Sequence, residues 1–155
     1  MLQSKITLVF GKICSGKSTF TDNLCLQTTS KRVTVSDVVK KVSGMTTRSE
    51  LQQTKDLDTL IAEELIIQIY LHNGPIVIDG IRQYSIVLHL VKEFGIKNID
   101  LIWLEVPDNV RKFRFTNRAI AKDDISFEEA DKHDELLGLT ELQEKLKDIY
   151  TVINN

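Results

Sequence analysis

The sequence predicts an α/β domain built around a parallel sheet, and three observations carry that reading. Short β-branched runs alternate with longer segments of helical periodicity. The runs are apolar throughout rather than alternating, as strands covered on both faces should be. A glycine-bearing loop follows the first run directly and opens a helical segment. At 155 residues the chain fits one domain, and a domain of that size buries roughly 70% of its unfolded surface.

Five strands are expected, over Lys5–Phe10, Arg32–Ser36, Pro75–Asp79, Ile99–Val106 and Tyr150–Ile153. Helices are expected between them. Lys17–Gln27 follows the glycine loop. Asp56–His72 carries Leu57, Leu60, Ile61, Leu65 and Ile69 at helical spacing, and Arg82–Phe94 carries Tyr84, Val87, Leu88, Val91 and Phe94. Pro107 marks another helix start, where its missing N–H costs nothing. Ser126 with Glu129, and Thr140 with Gln143, read as capping boxes that open two late helices. Trp103 and Glu105 read as core and strand-end residues. In parallel sheets of this kind ligands sit beyond the carboxyl ends of the strands.

Composition excludes several classes. The net charge is −2, which does not announce a nucleic-acid binder. No apolar run is long enough to span a membrane. The run at 6–10 is too short for a signal peptide and leads into the loop. Two cysteines, Cys14 and Cys25, fit free thiols in a reducing cytoplasm. Two Cys and three scattered His are too few for a metal site of their own. The charge is uneven. Arg111, Lys112, Arg114, Arg118 and Lys122 face one acid, Asp108, and residues 123–148 then hold ten acids against three lysines. Solvated helix faces are the plain structural explanation of such blocks.

The loop reads Gly11, Lys12, Ile13, Cys14, Ser15, Gly16, Lys17, Ser18, then Thr19, and matches G-x-x-x-x-G-K-[ST] in full. The glycines permit a tight nest of inward-pointing backbone N–H groups. The following helix adds its N-terminal dipole. Lys17 reaches the β- and γ-phosphates, and the Ser18 hydroxyl suits Mg²⁺. A chance match in a chain of this length is on the order of 1 in 200, which favours a triphosphate loop over an ordinary glycine turn. The expected ligand is ATP.

Proteins with this loop divide into switches, motors and small kinases. No N-K-x-D reads guanine here, and a motor usually needs more chain. A small kinase remains. Asp37, with Lys40 three residues on, is expected at the end of the second strand, and Asp79, followed by Gly80 and Arg82, at the end of the third. One such carboxylate can hold Mg²⁺ through water, and the other can orient or deprotonate an acceptor hydroxyl. The plain structural alternative for each is a helix N-cap.

Gly11–Thr19, Asp37-x-x-Lys40 and Asp79-Gly80-Ile81-Arg82 resemble the nucleoside monophosphate kinase group, which includes adenylate, thymidylate and dephospho-CoA kinases. Arg111-x-x-Arg114-x-x-x-Arg118, Asp123-Asp124 and the final "YTVINN" are similar to a short archaeal family related to adenylate and dephospho-CoA kinases. The resemblance covers nearly the full length. It implies a P-loop three-layer α/β/α sandwich with strand order 2-3-1-4-5 and a short lid at about 114–126. It further implies ATP and Mg²⁺ as cofactors, with Lys17, Asp37, Arg114 and Arg118 catalytic. Arg118 and Arg114, with Lys122, would neutralise the transferring phosphoryl group. Ser18 and Asp79 would place the metal. Arg82, Lys40 and Arg48 would hold the acceptor, because Arg matches phosphate bidentately. Arg111 is divided between the charge-neutralising role of Arg114 and Arg118 and salt bridging to the acidic segment that follows.

The chain departs from the adenylate kinase pattern at Lys40, where that pattern has arginine. A lysine point charge does not reproduce a bidentate clamp, which favours a hydroxyl acceptor with Asp37 as base. Small phage kinases that phosphorylate 5-hydroxymethyluracil in DNA are a second resemblance. Lys40, Lys41 and Arg48 would suit a DNA backbone. A non-catalytic nucleotide-binding module is the third possibility. The expected partners are ATP and a nucleotide-like acceptor, with modified DNA as the alternative acceptor, with no membrane, in a monomer or homodimer.

Overall fold

The central strand, β1 (Ile6–Gly11), is buried along its whole length, as a run covered on both faces must be. The computed structural model describes residues 5–45, 56–117 and 126–155, with no side-chain description at 44–45. Arg48, Arg118 and Lys122, together with most of the lid expected at 114–126, lie outside the described residues.

After β1 come α1 (Lys17–Thr28), β2 (Lys31–Thr34), α2 (Val35–Met45), α3 (Leu57–Leu71) and β3 (Ile76–Asp79). These are followed by α4 (Tyr84–Phe94), a 3₁₀ turn at Ile96–Asn98, β4 (Ile99–Glu105) and α5 (Asp108–Thr116). The chain closes with α6 (Phe127–Leu136), α7 (Leu139–Leu146) and β5 (Thr151–Asn154). The five strands form one sheet in the order β2-β3-β1-β4-β5, every neighbouring pair parallel. The predicted order holds. The register sets Val9 beside Asp79 and Gly11 beside Leu104, so the ends of β1 and β3 face the same edge.

Alternation along the strands divides the core into two layers. Ile6, Leu8 and Phe10 of β1, Ile76 and Ile78 of β3, and Ile99, Leu101 and Trp103 of β4 pack with residues of α2, α3, α4 and α7. Each such aliphatic side chain, once buried, contributes roughly 1.5–3 kcal/mol. Val9, Val77 and Leu104 face the other way and pack with Phe20, Leu24 and Cys25 of α1. Trp103 is a core residue, as expected. Its ring stacks on Tyr150 with centroids 5.6 Å apart, and its Nε1–H donates to Glu105 Oε2 at 2.7 Å. Among the described residues no helix is long and apolar enough to cross a membrane, and both cysteines are free.

Two of the expected element boundaries that the structure corrects change a residue's role. β2 ends at Thr34, and Val35 begins a helix, where the sequence suggested a strand through Ser36. Asp37 therefore lies in the first turn of α2, where a carboxylate favours the helix dipole. α7 begins at Leu139 after Gly138, which takes the left-handed φ of 107°. Thr140 is thus inside the helix and does not cap it. The other predicted box holds in part: Ser126 Oγ accepts from Glu129 N–H at 3.2 Å.

Candidate active site

The loop after β1 gets its shape from two left-handed residues, Cys14 at φ 61° and Gly16 at φ 84°. The Ser15 N–H closes a turn on Lys12 O at 3.1 Å. Residues of positive φ alternating with residues of negative φ make successive N–H groups converge, as in an anion nest. That φ favours glycine at Gly16, and a Cβ there would lie 2.6 Å from Asn155 Nδ2, the end of a side chain that would have to move. At Gly11 a Cβ would lie 2.4 Å from Ser15 Oγ. That hydroxyl is buried and, among the described residues, has no hydrogen-bond partner. Gly16 O accepts from Phe20 N–H at 3.0 Å, which starts α1 directly beneath the loop.

Lys17 turns back over the loop. Its Nζ donates to Gly11 O at 2.7 Å and to Lys12 O at 3.1 Å. Burial pushes the ammonium down to about 8, with Arg82 adding to the shift and Asp134 and Asp79 opposing it. A phosphate anion in the nest would favour the charged form again. Ser18 and Thr19 are exposed at the start of α1, so the Ser18 hydroxyl is open to an incoming ion.

Asp79 ends β3 at 4% exposure. It does not cap α4, whose N-cap is Gln83. Instead its Oδ2 accepts from Arg32 Nε at 3.2 Å and Nη2 at 2.9 Å, and Arg32 Nη1 donates to Asp22 at 2.6 Å. Sequence reading did not single out Arg32. Its signal is strand phase: Thr34 pairs with Asp79, and Arg32, two residues earlier, points to the same face.

Arg82 follows Gly80, whose φ of 92° turns the chain out of the sheet. Arg82 Nε donates to Asp134 Oδ1 at 2.7 Å. Asp134 sits on α6 at 4% exposure, and its Oδ2 accepts from Ile13 N–H at 2.9 Å. Arg111 is 1% exposed. Its Nη1 donates to Asp131 Oδ1 at 2.8 Å and to Ile13 O at 3.2 Å, and its Nη2 donates to Asp108 Oδ1 at 2.7 Å. Its guanidinium lies 5.1 Å from the Phe127 ring centroid. Of the two roles the sequence left open for Arg111, the structure shows salt bridging to the acidic segment. Arg114, one turn on, donates from Nη1 to Cys14 O at 3.2 Å and from Nη2 to Asn155 O at 2.9 Å. Asn155 Nδ2 donates to Ser15 O at 2.9 Å.

The structure therefore brings Lys17, Asp79, Arg82 and Arg114 to one edge around the loop. Asp37 and Lys40 are exposed on α2, and no described hydrogen bond or ion pair joins either to the loop. Asp131, Asp134 and Asn155 are site residues that sequence reading missed. Asp131 and Asp134 stood within an acidic block with nothing local to distinguish them.

No family model and no curated protein matches the chain by sequence. Solved structures do resemble it. One is an unliganded sugar kinase from Janibacter sp. HTCC2649, with TM-score 0.57 and 15% identity, covering 94% of this chain and 95% of that one. Another is shikimate kinase from Bacteroides thetaiotaomicron, with TM-score 0.60 and 14% identity over 97% and 86% of the two chains. A third is a gluconokinase from Sinorhizobium meliloti 1021, with TM-score 0.62 and 13% identity over 98% and 82%. At such identities the likeness shows the fold. The chain has the three-layer α/β/α fold of these kinases, with a phosphate-type loop at the carboxyl edge of its sheet.

Proposed function

We propose that the protein is an ATP-dependent phosphotransferase acting on a nucleotide or nucleotide-like acceptor. The observation that carries this reading is the nest of Cys14 and Gly16 with Lys17 folded over it, Asp79 and Arg82 within electrostatic reach. Lys17 and the loop N–H groups hold the β- and γ-phosphates. The oxygen donors of Ser18 and Asp79 are the hard ligands that Mg²⁺ prefers. Asp79 has Oδ2 committed to Arg32, and among the described residues Oδ1 carries no hydrogen bond and is left for that task. Among the described residues no cluster of His, Cys, Asp or Glu could hold a metal by itself, so the ion would share its shell with the triphosphate. When bound, Mg²⁺ neutralises charge on the phosphate oxygens.

In transfer to a hydroxyl, the acceptor oxygen bonds to the γ-phosphorus and the bond to the β,γ-bridging oxygen breaks. The hydroxyl proton passes to Asp37, and ADP leaves. A phosphate acceptor attacks through an ionised oxygen and needs no base. Arg114, already at Cys14 O, and Arg118 offset charge on the transferring group. Arg82 and Lys40, with Arg48, anchor the acceptor.

The nucleotide-like acceptor rests on the resemblance to nucleoside monophosphate and dephospho-CoA kinases. The alternative acceptor, 5-hydroxymethyluracil in DNA, draws on Lys40, Lys41 and Arg48 as backbone contacts. Lys41 instead bonds Glu64 of α3 at 2.5 Å, which weakens that alternative by one cation. The test is transfer of labelled γ-phosphate from ATP across a panel. The panel holds ribo- and deoxynucleoside monophosphates, dephospho-CoA, and a duplex carrying 5-hydroxymethyluracil beside a plain duplex. Label on a free nucleotide or dephospho-CoA is the expected outcome. Label on the modified duplex alone would replace it with the DNA reading.

A further inference from the structure

We propose that Asp134 is a positioning residue that locks the phosphate loop and Arg82 into one unit. Its catalytic meaning rests on the phosphotransfer reading, while its hydrogen bonds can be tested without it. A buried carboxylate is costly unless its oxygens are bonded. Asp134 is buried on α6, and neither oxygen serves its own helix. Oδ2 accepts from Ile13 N–H at 2.9 Å, across 121 residues of sequence, and Oδ1 accepts from Arg82 Nε at 2.7 Å. One turn earlier on the same helix, Asp131 holds Arg111, which donates to Ile13 O. Both backbone polar groups of Ile13 thus end on side chains of α5 and α6.

The consequence for Arg82 is directional. Its Nε edge is committed to Asp134, and among the described residues its two terminal amino groups carry no hydrogen bond. A guanidinium held this way offers the end-on fork, which matches two oxygens of one phosphate or carboxylate. An arginine already fixed at Nε loses less side-chain freedom when it binds that anion. Asp134 therefore sets the angle from which an acceptor anion is gripped, and it does so relative to the donor loop.

Two variants separate this role from a simple charge effect. Asp134→Asn and Asp134→Ala both remove the charge. Asn keeps one carbonyl oxygen and can accept from Ile13 N–H or from Arg82 Nε–H, but its NH₂ only donates. Ala accepts from neither. The measurements, on the full chain, are hydrogen exchange of the Ile13 amide and Arg82 Nε–H by NMR, and the affinity for ADP with Mg²⁺ by calorimetry. Both protons should be protected in the wild type, one of them in D134N and neither in D134A. Where the Asn oxygen keeps the Ile13 N–H protected, D134A should bind ADP about fivefold more weakly than D134N, because Ala then leaves the loop amide without that partner. Equal ADP affinity of the two variants with the Ile13 amide protected in D134N, or a protected Arg82 Nε–H in D134A, would overturn the proposal. If D134A does not fold, D134N decides alone, and protection of both protons in it is the contrary result. A wild type that labels no acceptor would sink the phosphotransfer reading and leave these exchange results standing.

Discussion

Gly11, Lys12 and Ile13 are consecutive residues of one loop, yet their partners come from very different distances along the chain. Gly11 O and Lys12 O accept from Lys17, six and five residues on. Ile13 N–H donates to Asp134 and Ile13 O accepts from Arg111, 121 and 98 residues away. The first half of the loop is closed by its own motif. The second half is held by a clasp that exists only once α5 and α6 have packed against it. Local closure explains why a phosphate nest can be read from nine letters of sequence. The distant clasp ties the same loop to Arg82 through Asp134.

The comparison makes the clasp the more costly half to break. Arg111→Ala removes a 1% exposed guanidinium with two carboxylate partners and an aromatic neighbour. The expected loss is roughly 3 kcal/mol, the low end for breaking a buried pair, since Asp108 and Asp131 can still reach water. Urea unfolding measures it. Arg111→Lys should recover little, because an ammonium lacks the fork that spans both acids and Ile13 O. A loss under about 1 kcal/mol, the usual worth of a surface pair, would show the clasp to be incidental.

The local half is probed by Gly16→Ala. A side chain at φ 84° costs about 1–2 kcal/mol. Its Cβ would also displace Asn155 Nδ2 and with it the bond to Ser15 O. Unfolding should show that loss, and ADP binding should weaken about tenfold as the nest opens. Unchanged ADP affinity would mean that the loop does not bind phosphate as a nest.

The smallest effect belongs to another long-range pair, Lys41–Glu64, which joins α2 to α3 with its lysine half exposed. The Lys41 hydrogen bond holds the Glu64 carboxyl below its ordinary value, with Gln68 helping and burial opposing. A depressed folded-state value stabilises the protein above the unfolded pKa, and that stability is lost as pH falls through the folded value. The urea midpoint should therefore drop below about pH 4.3, and Glu64→Gln should flatten that drop. The effect should stay within about 1 kcal/mol because solvent screens the pair. An equal slope in both proteins would remove the pair from the stability balance.

The same contrast governs what the sequence reveals. The strands β1, β3 and β4, the helices α1, α3 and α4, and the loop were legible because each rests on periodicity or on contiguous residues. Helix α2 was not. Val33 and Val35 suggest a strand through their β-branching, and the helical spacing of Val35, Val38 and Val42 is outweighed by that composition. Gly138 at α7 was missed because Thr140 and Gln143 offered a capping box two residues off register. Lys17, Ser18, Asp79 and Arg82 were legible as candidates from motif and strand end. Arg32, Asp131 and Asp134 were not, since each gains its role from a partner on another element. The basic and acidic blocks did announce pairing across α5 and α6, but not which acid would turn inward to the loop.

The most direct test of the central claim is γ-phosphoryl transfer from ATP, measured with wild type and Lys17→Ala side by side on the acceptor that takes label. Phosphotransfer from this loop predicts label in the wild type and a loss of at least about 10³-fold in the variant, with the fold retained in its circular dichroism spectrum. Transfer that survives the loss of Lys17 would contradict it.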